Sequence, residues 1–259
     1  MADMYDNRQT GWLGKEHLHF EQLSSTNDYL KQNAAALSHG TVATADFQTA
    51  GKGRSGRAWQ DNARAGLAFS VLLRPPSVHH TQLLPLVCAL AVKSAIYSLY
   101  GVNSGIKWPN DIVLNKKKLC GILCEGVLLG QTAYAVCGIG INVMQQEADF
   151  HKDGLDHATS LLVETGMRRS VDEVAAAVMI ELERYYDRYI TQGIAALLSE
   201  YEAACVTLGR QVKVIQNGAE REGRAVGLTQ NGALLVDFAG IVAEINAGEA
   251  SVRGLYGYV

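Results

Sequence analysis

Gly51-Lys52-Gly53-Arg54-Ser55-Gly56-Arg57-Ala58-Trp59 carries three glycines at the spacing of a dinucleotide-binding fingerprint, so its setting decides the class of fold. That fingerprint lies between a strand and a helix, with an acidic residue about 20 positions on that reaches the ribose. Here the glycines lead into Trp59, Asp61, Asn62 and a strand-like run, and the downstream stretch is Pro75-Pro76-Ser77. No Gly-Lys-Ser/Thr closes the segment, which excludes a Walker loop. What remains is a flexible loop whose backbone can approach a ligand closely, with Lys52, Arg54 and Arg57 spaced around an anion. The alternative is a solvated basic turn; three cations and three glycines within seven residues favour phosphate binding. Trp59, taken alone, reads as a core anchor.

Outward from this loop the chain alternates short strands with single helices. Ser25 and Asp28 resemble a capping box, followed by Leu30, Ala34 and Leu37 with Gly40 as the stop. A second helix is expected from Gln82 to Tyr100, ending at Gly101. A third opens on the capping pair Ser170 and Glu173 and aligns Val174, Val178, Leu182 and Tyr185 on one face as far as Gly193. Strand-like runs cover Thr41 to Phe47, Ala68 to Leu73, Ile112 to Leu114, Leu119 to Gly126 and Ala133 to Ile139. Such an order predicts an α+β fold with a mixed sheet rather than regular βαβ alternation. From Gly209 the texture changes. Gln211 to Ile215, Glu222 to Leu228, Ala233 to Asp237 and Ile241 to Asn246 are separated by Asn217-Gly218, Asn231-Gly232 and Ala239-Gly240, the pattern of tight hairpins. A small β-barrel is expected there, dividing the chain into 1–207 and 208–259.

The 259 residues, 48% hydrophobic and 19% charged, suffice for one large core and a small satellite domain. A net charge of −3 gives no global attraction for nucleic acid, so any anion site must be local. The first 20 residues are too polar for a secretory signal, and no run approaches the roughly 18 apolar residues of a membrane helix. The expectation is a cytoplasmic protein. Cys88, Cys120, Cys124, Cys137 and Cys205 are odd in number and scattered, which reads as reduced core thiols; Cys120 and Cys124 have no nearby histidine to suggest zinc. His79 and His80 follow two prolines and read as surface residues.

Lys107-Trp108-Pro109-Asn110-Asp111 precedes two short strands joined at Asn115-Lys116-Lys117-Lys118. The residue before proline avoids the helical region, so the approach is extended and sets Asn110 and Asp111 at a strand mouth, as site or turn residues. Of the three lysines only Lys118 adjoins the second strand closely enough to aim inward. Gly138-Ile139-Gly140-Ile141-Asn142 ends a strand with two glycines, marking a close approach or a bulge.

Taken in order, Ser25-Thr26-Asn27, Gln48 with the 51–59 loop, Lys107 to Ile112, Lys117 to Glu125 and Gly138 to Val143 resemble the biotin protein ligase family over roughly residues 20 to 165. The resemblance implies a catalytic domain of the class II aminoacyl-tRNA synthetase and biotin–lipoate ligase type, with a small C-terminal barrel like the Src-homology-3 fold. It implies two steps: the biotin carboxylate attacks the α-phosphate of ATP, releasing pyrophosphate, and a lysine of a biotin carboxyl carrier protein then attacks the acyl carbon. By the same resemblance Ser25, Thr26, Asn27 and Gln48 hold the biotin head, and Gly51, Lys52, Gly53 and Arg54 close over it. Gly121, Leu123, Gly138 and Gly140 line its pocket. Arg54 and Lys118 serve as the catalytic cations, touching the carboxylate and the α-phosphate. Arg57, Trp59, Lys107, Asn110, Asp111 and Asn142 serve ATP, its magnesium and the adenylate; the magnesium comes with ATP, and no metal ligand is assigned.

Two departures carry expectations. The commonest family loop has arginine where Lys52 and Ser55 stand; Lys52 keeps the sign but loses bidentate geometry, so the adenylate should be held less tightly. Some members carry an N-terminal DNA-binding winged helix, and the 23 residues before Ser24 are too few for one, so no repressor activity is expected. A lipoate or octanoate ligase and an adenylate-sensing regulator are the competing readings; the 107–122 pattern favours biotin. Family members include sheet-paired dimers and monomers, and the sequence leaves the oligomeric state open.

Overall fold

A computed structural model describes residues 9–60, 64–129, 132–216, 218–247, 251–254 and 258. Its larger sheet has seven strands: β1 (His17–Phe20), β2 (Val42–Ala45), β3 (Gly66–Leu73), β4 (Gly105–Lys107), β5 (Asp111–Leu114), β6 (Lys117–Leu129) and β7 (Thr132–Asn142). They lie in the order β1-β2-β3-β7-β6-β5-β4; β1 and β2 are parallel and every other pair antiparallel, giving the mixed sheet.

Side chains alternate across this sheet, and the two faces have different covers. Leu67, Phe69, Val71, Cys137, Ile139, Ile141 and Ile122 pack against helices α2 (Leu84–Tyr100) and α5 (Val171–Gln192) in the main core. The opposite face is covered over Ala43, Leu72 and Val136 by Leu30 and Ala34 from the segment of helix α1 (Thr26–Asn33). Beyond α1 that face is open, and its strands present Ala68, Ser70, Gly121, Leu123, Gly138 and Gly140 to a cavity.

The helix signals resolve unequally. α5 begins on the reciprocal Ser170–Glu173 capping box and stops at Gly193, with Val174, Val178, Leu182 and Tyr185 buried as expected. α2 ends on Gly101 in the left-handed region, and a 3-10 turn over Val78–Leu83 precedes it, absorbing His79 and His80. α1 is shorter than the sequence suggests. Asn33 turns its amide back onto the Tyr29 carbonyl, and the chain tightens into turns, so the helix ends at Asn33 rather than running to Gly40. Ser25 caps α1 at the Asp28 N–H, but Asp28 pairs with Lys31 and Lys52.

The stretch Val78–Tyr100 is long and apolar enough to cross a membrane, against the expectation that no such run exists. Here 61% of its most apolar window is buried inside the protein, between the sheet and α5, which explains an apolar helix without a lipid partner. Helices α3 (Glu147–Lys152), α4 (Leu161–Thr165) and α6 (Ala195–Ala204) complete this unit.

The second unit is an antiparallel sheet of β8 (Gln211–Gln216), β9 (Ala219–Leu228), β10 (Leu234–Phe238), β11 (Ile241–Ile245) and β12 (Ser251–Gly254), in the order β11-β10-β9-β8-β12. It is the barrel-type module expected, with a fifth strand, β12, that the turn pattern did not reveal. Ala239 and Gly240 both take positive φ, as a two-residue hairpin turn requires. Of the other turns, Gly218 and Gly232 are also left-handed, while Asn217 lies outside the described residues. The two units share one core: Val212, Val214, Leu234 and Val236 join the main cluster, and the Trp108 indole N–H donates to the Gly232 carbonyl at 3.2 Å.

Candidate active site

Two cross-strand rows make the cavity floor. Leu123, Gly138 and Ser70 stand opposite one another on β6, β7 and β3, and Asp111, Gly121, Gly140 and Ala68 form the next row on the same face. The small residues are required by what lies over them. A β-carbon on Gly138 would stand 2.2 Å from Asn27 Oδ1, and one on Gly140 would stand 2.5 Å from the Trp59 ring. Close approach, not a bulge, explains both glycines, since the β7 register is regular there.

The cavity above this floor holds about 440 Å³ and has two chemically different ends. At one end neutral polar groups interlock. The Ser70 hydroxyl donates to Asn27 Oδ1 at 2.6 Å and lies 2.7 Å from the Thr26 hydroxyl, while Thr26 donates its N–H to Gln48 Oε1 at 2.9 Å. The Asn27 amide donates to Glu125 at 2.9 Å, and Glu125 is held by Lys31. Asn27 is therefore fixed from both sides, with Thr26 and Ser70 buried beside it.

At the other end cations gather. Strand β6 carries one extra residue opposite the Ile112–Val113 step, a bulge that turns Lys118 to the same face as Gly121. Lys118 Nζ lies 3.0 Å from the Asp111 carboxylate and 5.7 Å from the Trp59 ring centre. Arg54 donates to Asn110 Oδ1 at 2.9 Å and to the Ala247 carbonyl at 2.5 Å, tying the glycine loop to the second unit. Lys107 is buried, and burial pulls its ammonium down to about 8. It lies 3.7 Å above the ring of Tyr258, whose hydroxyl donates to Asp111 and whose ring stacks on His157. Burial, then the charges of Lys118 and Lys107, hold His157 below its ordinary range.

Of the residues singled out from sequence, Ser25, Thr26, Asn27, Gln48, Lys52, Gly53, Arg54, Arg57, Trp59, Asn110, Asp111, Lys118, Gly121, Leu123, Gly138, Gly140 and Asn142 all line this one cavity. Lys107 lines an adjoining hollow of about 320 Å³ with Arg54, Arg57 and Asp111. Gly51 does not reach the cavity; it is buried against the Trp59 carbonyl, 2.6 Å from where its β-carbon would be, and shapes the loop instead. Lys52 lines the cavity but is paired with Asp28 at 2.6 Å. Trp59, read from sequence as a core anchor, lies over the floor glycines in the cavity itself. Asp61 and Asn62 lie outside the described residues, as does the Ser55 side chain.

Ser70, Gln145, His157 and Tyr258 were not anticipated. Ser70 would be found only by knowing its register opposite Gly138. Gln145 lines the cavity, donates to Asn142 Oδ1 at 3.3 Å and leaves its own buried Oε1 without a partner, a group left for a ligand donor. Asp111 and Asp153 are the carboxylates of the wall. Asp111 is engaged by Lys118 and Tyr258, so the described residues form no carboxylate cage of their own for magnesium.

Comparison with known proteins places the whole chain in a family. The profile of the biotin/lipoate A/B protein ligase family matches residues 19–142, and that of the biotin protein ligase C-terminal domain matches residues 207–253. The chain is 33% identical over 236 residues to the biotin–[acetyl-CoA-carboxylase] ligase of Mycobacterium tuberculosis, covering 88% of this chain and 85% of that one. It is 33% identical to the bifunctional ligase/repressor BirA of Bacillus subtilis, over 88% of this chain and 71% of the relative. The Aquifex aeolicus biotin protein ligase solved with biotin and ATP superposes with a TM-score of 0.81 at 32% identity, over 93% of this chain and 99% of that one. With both profiles matched and full-length relatives at this identity, the chain belongs to the biotin protein ligase family.

Proposed function

We infer that the protein activates biotin with ATP as biotinyl-adenylate and transfers it to a lysine of a biotin carboxyl carrier protein. The observation that carries this is the division of one cavity into a neutral hydrogen-bonding end and a cationic end. The interlocked Thr26, Asn27, Gln48 and Ser70 suit a ureido ring, which has neutral donors and acceptors. The floor glycines Gly121 and Gly140 let the Trp59 ring settle low over the sheet, so that the cavity beside it can take an apolar chain, with Arg54 and Lys118 on the same wall to meet a carboxylate. Arg57, Lys107, Asn110, Asp111 and Asn142 then fall to the nucleotide, and Trp59 to the adenylate.

In the first step a carboxylate oxygen bonds to the α-phosphorus as its bond to the pyrophosphate oxygen breaks. Two anions must meet, so fixed cations that neutralise the accumulating charge dominate the rate. Magnesium would arrive on the triphosphate, with Asp111 the carboxylate placed to meet it. In the second step the carrier amine bonds to the acyl carbon, AMP leaves, and the amine loses a proton. Gly53 and Arg54, the arginine held by the Ala247 carbonyl, would shield the mixed anhydride from water.

The reading extends to units divided at 1–207 and 208–259, to action without DNA, supported by 26 acidic against 23 basic residues, and to a cytoplasmic setting, supported by five free cysteines. A homodimer formed by side-by-side pairing of sheets belongs to the same reading. Biotin-dependent exchange of labelled pyrophosphate into ATP tests the proposal. Exchange with biotin supports it; exchange with lipoate alone would transfer the site to the neighbouring substrate class.

A further inference from the structure

Cys88 of α2, Cys124 of β6 and Cys137 of β7 are far apart in sequence, yet their three sulfur atoms lie within 4.8 Å of one another. The cysteines are free core thiols as expected, and the fold brings three of them together. Cys124 and Cys137 are direct cross-strand partners, and alternation turns both to the α2 face of the sheet, opposite the cavity. Cys88 closes the triangle from the helix above. Cys120 is on the same face but outside the group.

The three sulfurs meet in the core between α2 and the sheet, with Cys88 and Cys137 buried and Cys124 at its margin. A centre bonded to three sulfurs at about 2.3 Å would set them about 4 Å apart when planar and closer when pyramidal. Small side-chain rotations reach that from the observed spacing. Soft thiolates select soft, thiophilic centres, and charge then chooses among these. Three thiolates around a divalent ion bury one negative charge, and around a monovalent ion two. Uncompensated charge in an apolar site is heavily penalised. A trivalent centre leaves none.

We propose that Cys88, Cys124 and Cys137 form a binding site for a trivalent thiophilic metalloid, of which arsenite is the simplest form. The step is a ligand exchange without redox change. As(OH)₃ and three thiols give As(SCys)₃ and three waters; three As–O bonds break, three As–S bonds form, and each thiol proton leaves in a water molecule. Cys124, only partly buried, is the point of access. Occupation would clamp α2 onto β6 and β7 beneath the floor of the cavity. Leu123 and Glu125, which flank Cys124, both accept hydrogen bonds from Asn27, so the clamp is next to the polar end of the site.

The test is arsenite titration of the full, reduced protein, read by near-ultraviolet sulfur-to-arsenic absorbance and native mass. The expected result is one arsenic per chain, and affinity lowered by roughly tenfold or more in Cys88→Ala and, separately, in Cys137→Ala. Cys120→Ser should bind as the parent does. Should either triad variant fail to fold, Cys124→Ala and iodoacetamide mapping of the protected thiols carry the same discrimination. Zinc or cadmium binding more tightly than arsenite would overturn the charge argument. Absence of stoichiometric arsenic, or its retention by triad variants, would overturn the site.

Discussion

Lys118 and Gly121, three residues apart on one strand, present to the same face: Lys118 Nζ lies 3.2 Å from where a β-carbon on Gly121 would stand. Regular alternation would send them to opposite faces, and the bulge between them reverses that. The sheet thus delivers a cation onto a floor of glycines. Lys118→Ala is expected to lower the adenylation rate by roughly 10²–10³-fold, the usual cost of one preorganised charge-stabilising donor. Single-turnover formation of adenylate measures it, and an unchanged rate rejects the role.

Gly138→Ala drives a methyl into Asn27 and must displace the amide that Ser70 and Glu125 hold. Loss of that network leaves buried polar groups unmatched at about 1–3 kcal/mol, which is about 5- to 150-fold in affinity. Biotin affinity by calorimetry should fall in that range while ATP affinity holds. Equal loss of both would mean a collapsed sheet instead.

Lys107, pulled down to about 8 by burial, loses its charge as pH rises through that value. The charged form is the one that attracts a triphosphate, so nucleotide affinity should be fully present below about 8 and decline above it. Binding should also take up protons near pH 8, because the anion raises the lysine again. Calorimetry in buffers of different ionisation enthalpy checks the sign; Lys107→Met should flatten the profile.

Much of this was legible because it was local. The Ser170–Glu173 box and Gly193 mark both ends of α5, and Gly101 marks the end of α2. Strand β1 was missed because its four residues pair with β2 in parallel, with no turn between them to announce it. The site residues taken from the family resemblance, apart from Gly51 and Lys107, converge on one cavity, but Ser70 and the Cys88–Cys124–Cys137 group depend on cross-strand register, which periodicity alone does not give. Gly51 lies under the loop, against the Trp59 carbonyl, a place that the glycine spacing alone does not distinguish from one facing the ligand.

Ser170→Ala removes the acceptor for the Glu173 N–H, 3.1 Å away, and should cost about 1 kcal/mol of stability. Urea unfolding reads this as a lower midpoint at constant slope, with pyrophosphate exchange unchanged. A loss of exchange activity would tie α5 to the site in a way the packing does not.

The central claim is tested most directly by incubating the protein with biotin, ATP, magnesium and an unmodified biotin carboxyl carrier domain, and following that domain's intact mass. The account predicts an ATP-dependent increase equal to one biotinyl group, lost when the carrier lysine is replaced. No increase under conditions where pyrophosphate exchange proceeds would contradict it, leaving an enzyme that makes the adenylate but does not transfer it.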